Sequence, residues 1–135
     1  MPLLLDTGVL YALADKDDEW HERCVDYVQS SRELLLVPVT VIPEAAYLVR
    51  ARLGSSAERQ LIRSISEREV TLESLTDVDV DRCTDLMGKY TDIGFVDASV
   101  VAIAERLRLT AIATTDRRHF SGIRPHHRAS FTLVP

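Results

Sequence analysis

The sequence predicts an α/β fold, a three-layer α/β/α sandwich around a mainly parallel sheet of about five strands. Short apolar segments rich in β-branched residues alternate with helical segments along the whole chain, which is the pattern of parallel α/β proteins. The opening segment, residues 2–5, is apolar on both faces, as expected for a strand buried in the middle of such a sheet. With 135 residues, 46% hydrophobic and 27% charged, the chain is expected to form one domain over residues 1–135.

Capping and turn residues set the boundaries of the predicted elements in the first half of the chain. Asp18 and Thr40 are suitable N-caps, and Gly54 is expected to end a helix. In order, the predictions are a strand at 2–5, helices at 9–14 and 19–30, a strand at 34–37, a helix at 41–53, a helix starting at 55 or 56, and a strand at 70–75.

The second half predicts two helices followed by two strands. A helix at 77–90 precedes one at 96–107 that is apolar nearly all round, so we expect this second helix to be covered on most sides. A strand at 109–115 then leads to Asp116, and Arg117, Arg118 and His119 are expected to form a solvated turn that could hold phosphates beside an acidic edge. A basic loop at 121–127 and a last strand at 130–134 complete the chain.

Composition excludes several classes of protein. The net charge of −5 argues against a nucleic-acid binder that relies on bulk positive charge. No apolar run approaches the ~20 residues of a membrane span, and no export signal is apparent, so we expect a cytoplasmic protein without a membrane partner. Cys24 and Cys83 lie far apart on apolar helical faces, which favours buried thiols over a disulfide.

Four acidic residues are predicted to meet at one edge of the sheet. Asp6 and Asp116 each follow a strand, and the carboxyl ends of parallel strands share an edge where ligands bind. Glu44 and Asp97 each lie within a turn of a helix start and can face the same cleft. Each acid alone is most simply a turn or cap residue, but all of them fall at the same edge.

Carboxylates that share a cleft repel each other unless some are protonated or a cation lies between them. Ligation by oxygen alone favours Mg²⁺ or Mn²⁺ over Zn²⁺. A bound divalent ion would activate water for attack on phosphorus, and Thr114 could support a ligating carboxylate through its hydroxyl. The pattern therefore predicts phosphodiester hydrolysis without a nucleophile from the protein.

The acidic residues lie in segments that resemble the four acidic motifs of PIN domains, specifically VapC-type toxins of bacterial type II toxin–antitoxin pairs. The segments are LLLDTGVLYAL, TVIPEAAYLV, FVDASVVAIAERL and IATTDRRHF. By position, the family's metal-binding carboxylates correspond to Asp6, Glu44, Asp97 and Asp116, and its supporting hydroxyl corresponds to Thr114. Some members carry another acid near the third motif, and only Asp92 could serve here.

This resemblance implies a PIN-like nuclease domain with Mg²⁺- or Mn²⁺-dependent endoribonuclease activity. The expected substrate is tRNA, rRNA or mRNA, whose cleavage would inhibit translation and growth. The resemblance also implies a homodimer and a cognate VapB-type antitoxin whose tail crosses the cleft. Arg50, Arg117 and Arg118 are candidate RNA contacts, because guanidinium groups bind phosphate through paired hydrogen bonds.

Two other functions are weighed against the nuclease. A catalytically silent PIN-like interaction domain would keep the fold and bind no metal. A receiver or phosphatase-like phosphoryl-transfer domain also gathers acids at strand ends. It is less favoured, because the phosphatase motif after the first strand is Asp-x-Asp and this chain has Asp6-Thr7-Gly8 there. In addition, Lys16 and Lys89 do not fit the lysine position of receivers.

Overall fold

The computed structural model describes all 135 residues, and its five strands form one parallel sheet. The strands are β1 (Leu3–Leu5), β2 (Leu35–Pro38), β3 (Thr71–Glu73), β4 (Ala111–Ala113) and β5 (Thr132–Val134). Their order across the sheet is β3-β2-β1-β4-β5, with every neighbouring pair parallel. The predicted α/β class is therefore confirmed, and β1 is central as its apolar sequence indicates.

Seven helices surround this sheet. They are α1 (Thr7–Ala14), α2 (His21–Ser30), α3 (Val41–Leu53), α4 (Ser55–Ser66), α5 (Asp77–Lys89), α6 (Phe95–Leu107) and α7 (Arg117–Ser121). Helix α1 packs against α2 and α3, α3 packs against α4, and α5 packs against α6. Strand β2 contacts both α3 and α6, so the two groups of helices form the outer layers of an α/β/α arrangement.

Local sequence explains where several helices begin and end. Gly54 separates α3 from α4 with a φ of 96°, a backbone conformation that favours glycine. Helix α5 begins with a reciprocal capping box, in which the Thr76 hydroxyl accepts from the backbone of Asp79 and the Asp79 carboxylate accepts from the backbone of Thr76. These caps satisfy backbone groups that would otherwise lack partners at helix ends.

The core lies on both faces of the sheet and runs along α6. All of β1 is fully buried, and so are most residues of α6 between Ala98 and Ala104. This agrees with the nearly all-round apolar sequence of that helix. Cys24 and Cys83 are buried and unpaired, as predicted. No helix has the length and apolar character needed to cross a membrane.

Several predicted boundaries were wrong. Helix α1 begins at Thr7 rather than at residue 9, directly after the strand. Helix α2 begins at His21 rather than at residue 19, and Asp18 accepts a hydrogen bond from the Trp20 backbone in the turn before it. Thr40 makes no capping hydrogen bond. The short helix α7 was expected to be a solvated turn, and the last three strands are shorter than predicted.

Candidate metal centre and active site

Asp6 lies at the carboxyl end of β1, where its backbone N–H continues the pairing with β4 by donating to the carbonyl oxygen of Ala113 at 2.9 Å. It stands at the N-cap position of α1, but its side chain makes no capping hydrogen bond. One carboxylate oxygen, Oδ2, accepts a hydrogen bond from the Thr114 hydroxyl at 2.9 Å. The other, Oδ1, is buried without a well-aligned hydrogen bond, although the backbone N–H of Thr7 is close enough to lower the pKa of Asp6. A buried carboxylate oxygen without a well-aligned donor is costly, and a bound cation or a proton would offset that cost.

Thr114 connects the two strand ends that carry acids. Its side chain is fully buried, and its hydroxyl donates to Asp6 while accepting from the backbone N–H of Asp116 at 2.9 Å. The Asp116 Oδ1 atom then accepts from the His119 backbone at 3.2 Å and so caps α7. The simple reading of Asp116 as a cap residue is therefore right for one oxygen, while its Oδ2 atom points to the cluster described next.

Asp97 and Glu44 approach the same edge from two helices. Asp97 lies in the first turn of α6 and is half-buried, and Glu44 lies in the first turn of α3 and is exposed. The two helix starts are joined directly, because the hydroxyl oxygens of Thr40 and Ser99 lie 2.5 Å apart in a hydrogen bond. This contact, rather than capping, is the use of Thr40 in the structure.

A histidine completes the cluster. The Nδ1 atom of His119 lies 2.7 Å from Oδ2 of Asp116 and 3.0 Å from Oδ2 of Asp97. Ligand atoms of these three residues all lie within 4.8 Å of one another, although Nδ1 has no well-aligned hydrogen bond to either carboxylate. Convergence of lone-pair atoms without hydrogen-bond alignment is the arrangement that a metal ion would hold together.

The pKa values of Asp6 and Asp97 are both raised, as expected for partly or fully buried acids that lie close to other acids. Burial raises the pKa of Asp6 from 3.8 to about 6, the nearby carboxylates of Asp97 and Glu44 raise it too, and the backbone N–H of Thr7 and the hydroxyl of Thr114 oppose the increase. The pKa of Asp97 is also raised, first by burial and then by the negative charges of Asp116 and Glu44, while His119 opposes the shift. The charges of Asp97 and Glu44 therefore act on Asp6, and those of Asp116 and Glu44 act on Asp97.

The other predicted site residues are placed differently. Glu44 is near the cluster but is not among the three residues whose ligand atoms converge. Asp92 is exposed in the loop before α6. Arg50 forms an exposed ion pair with Glu58 at 2.9 Å. Arg117 donates to the backbone carbonyl of Pro135 and lies over the ring of Trp20, whereas Arg118 is exposed and has no acidic partner.

His119 was predicted only as a turn residue that could hold phosphate, and its place among the converging ligand atoms was missed. The signal was present in its position three residues after Asp116, which places the two side chains on one face of a helix. That signal depended on recognising α7, and Arg117, Arg118 and His119 were interpreted as a solvated turn. Helix α7 forms because Asp116 caps it and because Phe120 is fully buried in the core.

The donor set can hold a divalent cation. Carboxylate oxygens suit Mg²⁺ and Mn²⁺, and the imidazole nitrogen of His119 adds a ligand type that transition metals accept more readily than Mg²⁺ does. The unpartnered Oδ1 atom of Asp6 offers a further oxygen at the same edge of the sheet. A cation here would offset the cost of burying the charged Asp6 carboxylate, and it would reduce the repulsion among the neighbouring acids.

Comparison with known proteins agrees with this geometry. The model of the PIN domain family matches residues 3–124. A ribonuclease of Mycobacterium tuberculosis, VapC26, is 33% identical over 135 residues, which cover 98% of this chain and 100% of that protein. All of the acidic positions discussed above lie inside both matches.

Solved structures share the fold at lower identity. VapC20 of M. tuberculosis, a toxin that cleaves the sarcin–ricin loop, superposes with a TM-score of 0.80 at 19% identity, covering 87% of this chain and 92% of that one. A toxin–antitoxin complex from Klebsiella pneumoniae gives a TM-score of 0.70 at 17% identity, covering 90% and 92%. PAE2754 from Pyrobaculum aerophilum gives 0.62 at 26% identity, covering 99% and 90%.

Proposed function

Because this chain belongs to the PIN domain family, and to the VapC type within it, we propose that it is a divalent-metal-dependent endoribonuclease. It would act as the toxin of a toxin–antitoxin pair in the cytoplasm, with a VapB-type antitoxin as partner and a homodimer as its assembly. The observation that carries the proposal is the convergence of Asp97, Asp116 and His119 beside the buried, half-partnered carboxylate of Asp6.

In this proposal Asp6, Asp97 and Asp116 hold Mg²⁺ or Mn²⁺, with Glu44 as an outer acid facing the same edge. The nitrogen donor of His119 makes Mn²⁺ the better fit. When bound, the ion supplies Lewis-acid activation of water and of the phosphate. Thr114 fixes the orientation of the Asp6 carboxylate through its hydrogen bond, and the exposed carboxylate of Glu44 can accept a proton from an attacking water.

The test is RNA cleavage by purified, antitoxin-free protein with Mn²⁺ or Mg²⁺, repeated with a chelator. Asp97→Asn is expected to reduce the cleavage rate at least about 100-fold, because it removes one ligand charge from the cluster. Asp26→Asn is a matched control, since Asp26 is exposed on α2 and outside the cluster. Cleavage that persists in the chelator or in Asp97→Asn would reject the metal-dependent mechanism.

A further inference from the structure

A cleft of about 630 Å³ opens directly beside the carboxylate cluster. It lies between residues 89–93, which link α5 to α6, and residues 118–123, which include the end of α7. We call it the flanking cleft. His119 belongs to both sites: it lines the flanking cleft, and its Nδ1 atom contacts Asp97 and Asp116. A molecule in this cleft would therefore lie next to whatever reacts at the cluster. Its volume is that of a small-ligand site.

The flanking cleft combines an apolar floor with a fixed aromatic ring. Ile93 and Ile123 line it and are almost completely buried. Tyr90 also lines it and is half-buried, and its hydroxyl accepts a hydrogen bond from the Arg124 backbone at 3.1 Å. This bond holds the Tyr90 ring in place, and the ammonium group of Lys89 lies 5.4 Å from the ring centroid, so a planar ligand would meet an organised ring with a cation beside it.

Two cations, Lys89 and Arg118, and one carboxylate, Asp92, line the flanking cleft, and none of them forms an ion pair. Lys89 and Arg118 are exposed, and no carboxylate lies within salt-bridge distance of either. Most other arginines near carboxylates are already used: Arg82 binds Glu105, and Arg106 binds Asp79 and Glu73. In a chain with net charge −5, the lining of the flanking cleft thus carries a small excess of positive charge beside the cluster.

We propose that the flanking cleft binds one nucleotide of single-stranded RNA adjacent to the bond that is cut. Its base packs on Tyr90 and the isoleucine floor, and its phosphate lies near Lys89 and Arg118. Unstacked RNA bases bind to aromatic rings, and lysine and arginine bind the backbone, so the lining matches this ligand on both counts. The inference rests on the proposed nuclease function and deepens it by identifying where substrate preference is set.

The test is steady-state cleavage, in Mn²⁺, of short single-stranded oligoribonucleotides that differ at the positions flanking the cut. Tyr90→Leu is expected to raise KM about 10-fold with little change in kcat, and to flatten the preference at one flanking position. Tyr90→Phe keeps the ring and removes only the hydroxyl that accepts from Arg124, so its KM should rise much less than that of Tyr90→Leu and its preference should be retained. Lys89→Ala is expected to raise KM several-fold, and Lys16→Ala, which removes the chain's other lysine, should not.

Each other outcome has a definite meaning. If the wild-type protein cleaves RNA and Tyr90→Leu and Lys89→Ala keep its KM and preference, the cleft assignment is overturned and the nuclease proposal stands. If Tyr90→Phe is impaired as much as Tyr90→Leu, the hydroxyl contact with Arg124 accounts for the effect and stacking on the ring does not, which also overturns the assignment. Unchanged RNA kinetics with weaker binding of poly-glutamate to Lys89→Ala would assign the cleft to an acidic protein partner. Absence of cleavage by the wild type on every substrate counts against the nuclease itself.

Discussion

The carboxylates at the two ends of α6 differ in whether arginine side chains neutralise them. At the C-terminal end, Glu105 accepts two hydrogen bonds from Arg82, at 2.7 and 3.0 Å, and Arg106 reaches across to Asp79. At the N-terminal end, Asp97 faces other acids, and its nearest nitrogen is that of a histidine. The same helix therefore carries one neutralised cluster and one cluster that no arginine or lysine neutralises.

The pKa values of the two ends move in opposite directions for this reason. Burial alone would raise the pKa of Glu105, but hydrogen bonds from Arg82 and from the His126 backbone outweigh burial and lower it. Burial raises the pKa of Asp97, and the neighbouring acids add to the increase. A folded chain that leaves acids unneutralised at one end gives up stability there, as binding sites commonly do. The C-terminal end stabilises the fold, and the N-terminal end is suited to bind a cation.

The largest expected effect comes from breaking the neutralised end. Arg106→Ala would leave Asp79, which is 2% exposed, without its cation, and should lower the free energy of unfolding by about 3–5 kcal/mol in urea denaturation. Arg59→Ala is the matched control on α4, with an expected change of less than about 0.5 kcal/mol. Because the two ends are separate, Mn²⁺ affinity at a temperature where the variant is folded should stay within about twofold. A parallel loss of Mn²⁺ affinity would show that the ends are coupled.

The sequence predicted the fold better than it predicted the contacts. Strand β1 and helix α6 were identified because both are apolar on more than one face, and this pattern is visible in the sequence whatever the details of their packing. Helix α7 was missed because its stability comes from tertiary contacts: the buried side chain of Phe120 and the cap from Asp116. Five residues have too little periodicity to reveal a helix by themselves.

The site was predictable only to the level of which acids share an edge. Parallel strand ends explain why Asp6 and Asp116 are close, since both follow neighbouring strands of the sheet. That reasoning cannot rank the acids, and it gave Glu44 the same weight as Asp97, although only Asp97 joins the converging group. Nor could it foresee that Arg50 and Arg117 already have partners, because one contact depends on how α3 packs against α4 and the other reaches the last residue of the chain.

The second prediction concerns the stability that the acidic end gives up. Because the pKa of folded Asp6 is about 6 and its ordinary value is 3.8, the folded chain holds a proton more tightly between these values, and stability falls as pH rises through that range. Asp6→Asn removes this dependence. In the presence of a chelator at pH ~7.5, the free energy of unfolding of this variant, measured by urea denaturation, should exceed that of wild type by about 1–3 kcal/mol. Near pH ~4 the two proteins should show no difference.

Asp17→Asn is the control for this experiment, since Asp17 is exposed in the loop after α1. The comparison between the two ends of α6 would be wrong if Asp6→Asn destabilised the metal-free protein at neutral pH, or if its effect were equal at both pH values. The same variant should no longer be stabilised by Mn²⁺, whereas wild type should gain stability from Mn²⁺ more strongly above pH ~6, where Asp6 has lost its proton.

The smallest expected effect sharpens the comparison, because Thr114→Val alters how the acidic end is oriented without removing an acid. Valine has a similar shape but cannot donate to Asp6 or accept from the Asp116 backbone. Mn²⁺ affinity, measured by titration calorimetry, should fall about 10-fold. A hydrogen bond to the charged form lowers a carboxyl pKa, so its loss should move the pH midpoint of Mn²⁺ binding upward. Thr110 precedes the same strand, and its hydroxyl contacts only Met1. Thr110→Val should therefore change neither quantity. Equal losses in both variants would mean that the substitutions act through β4 as a whole and not through the carboxylate that Thr114 holds.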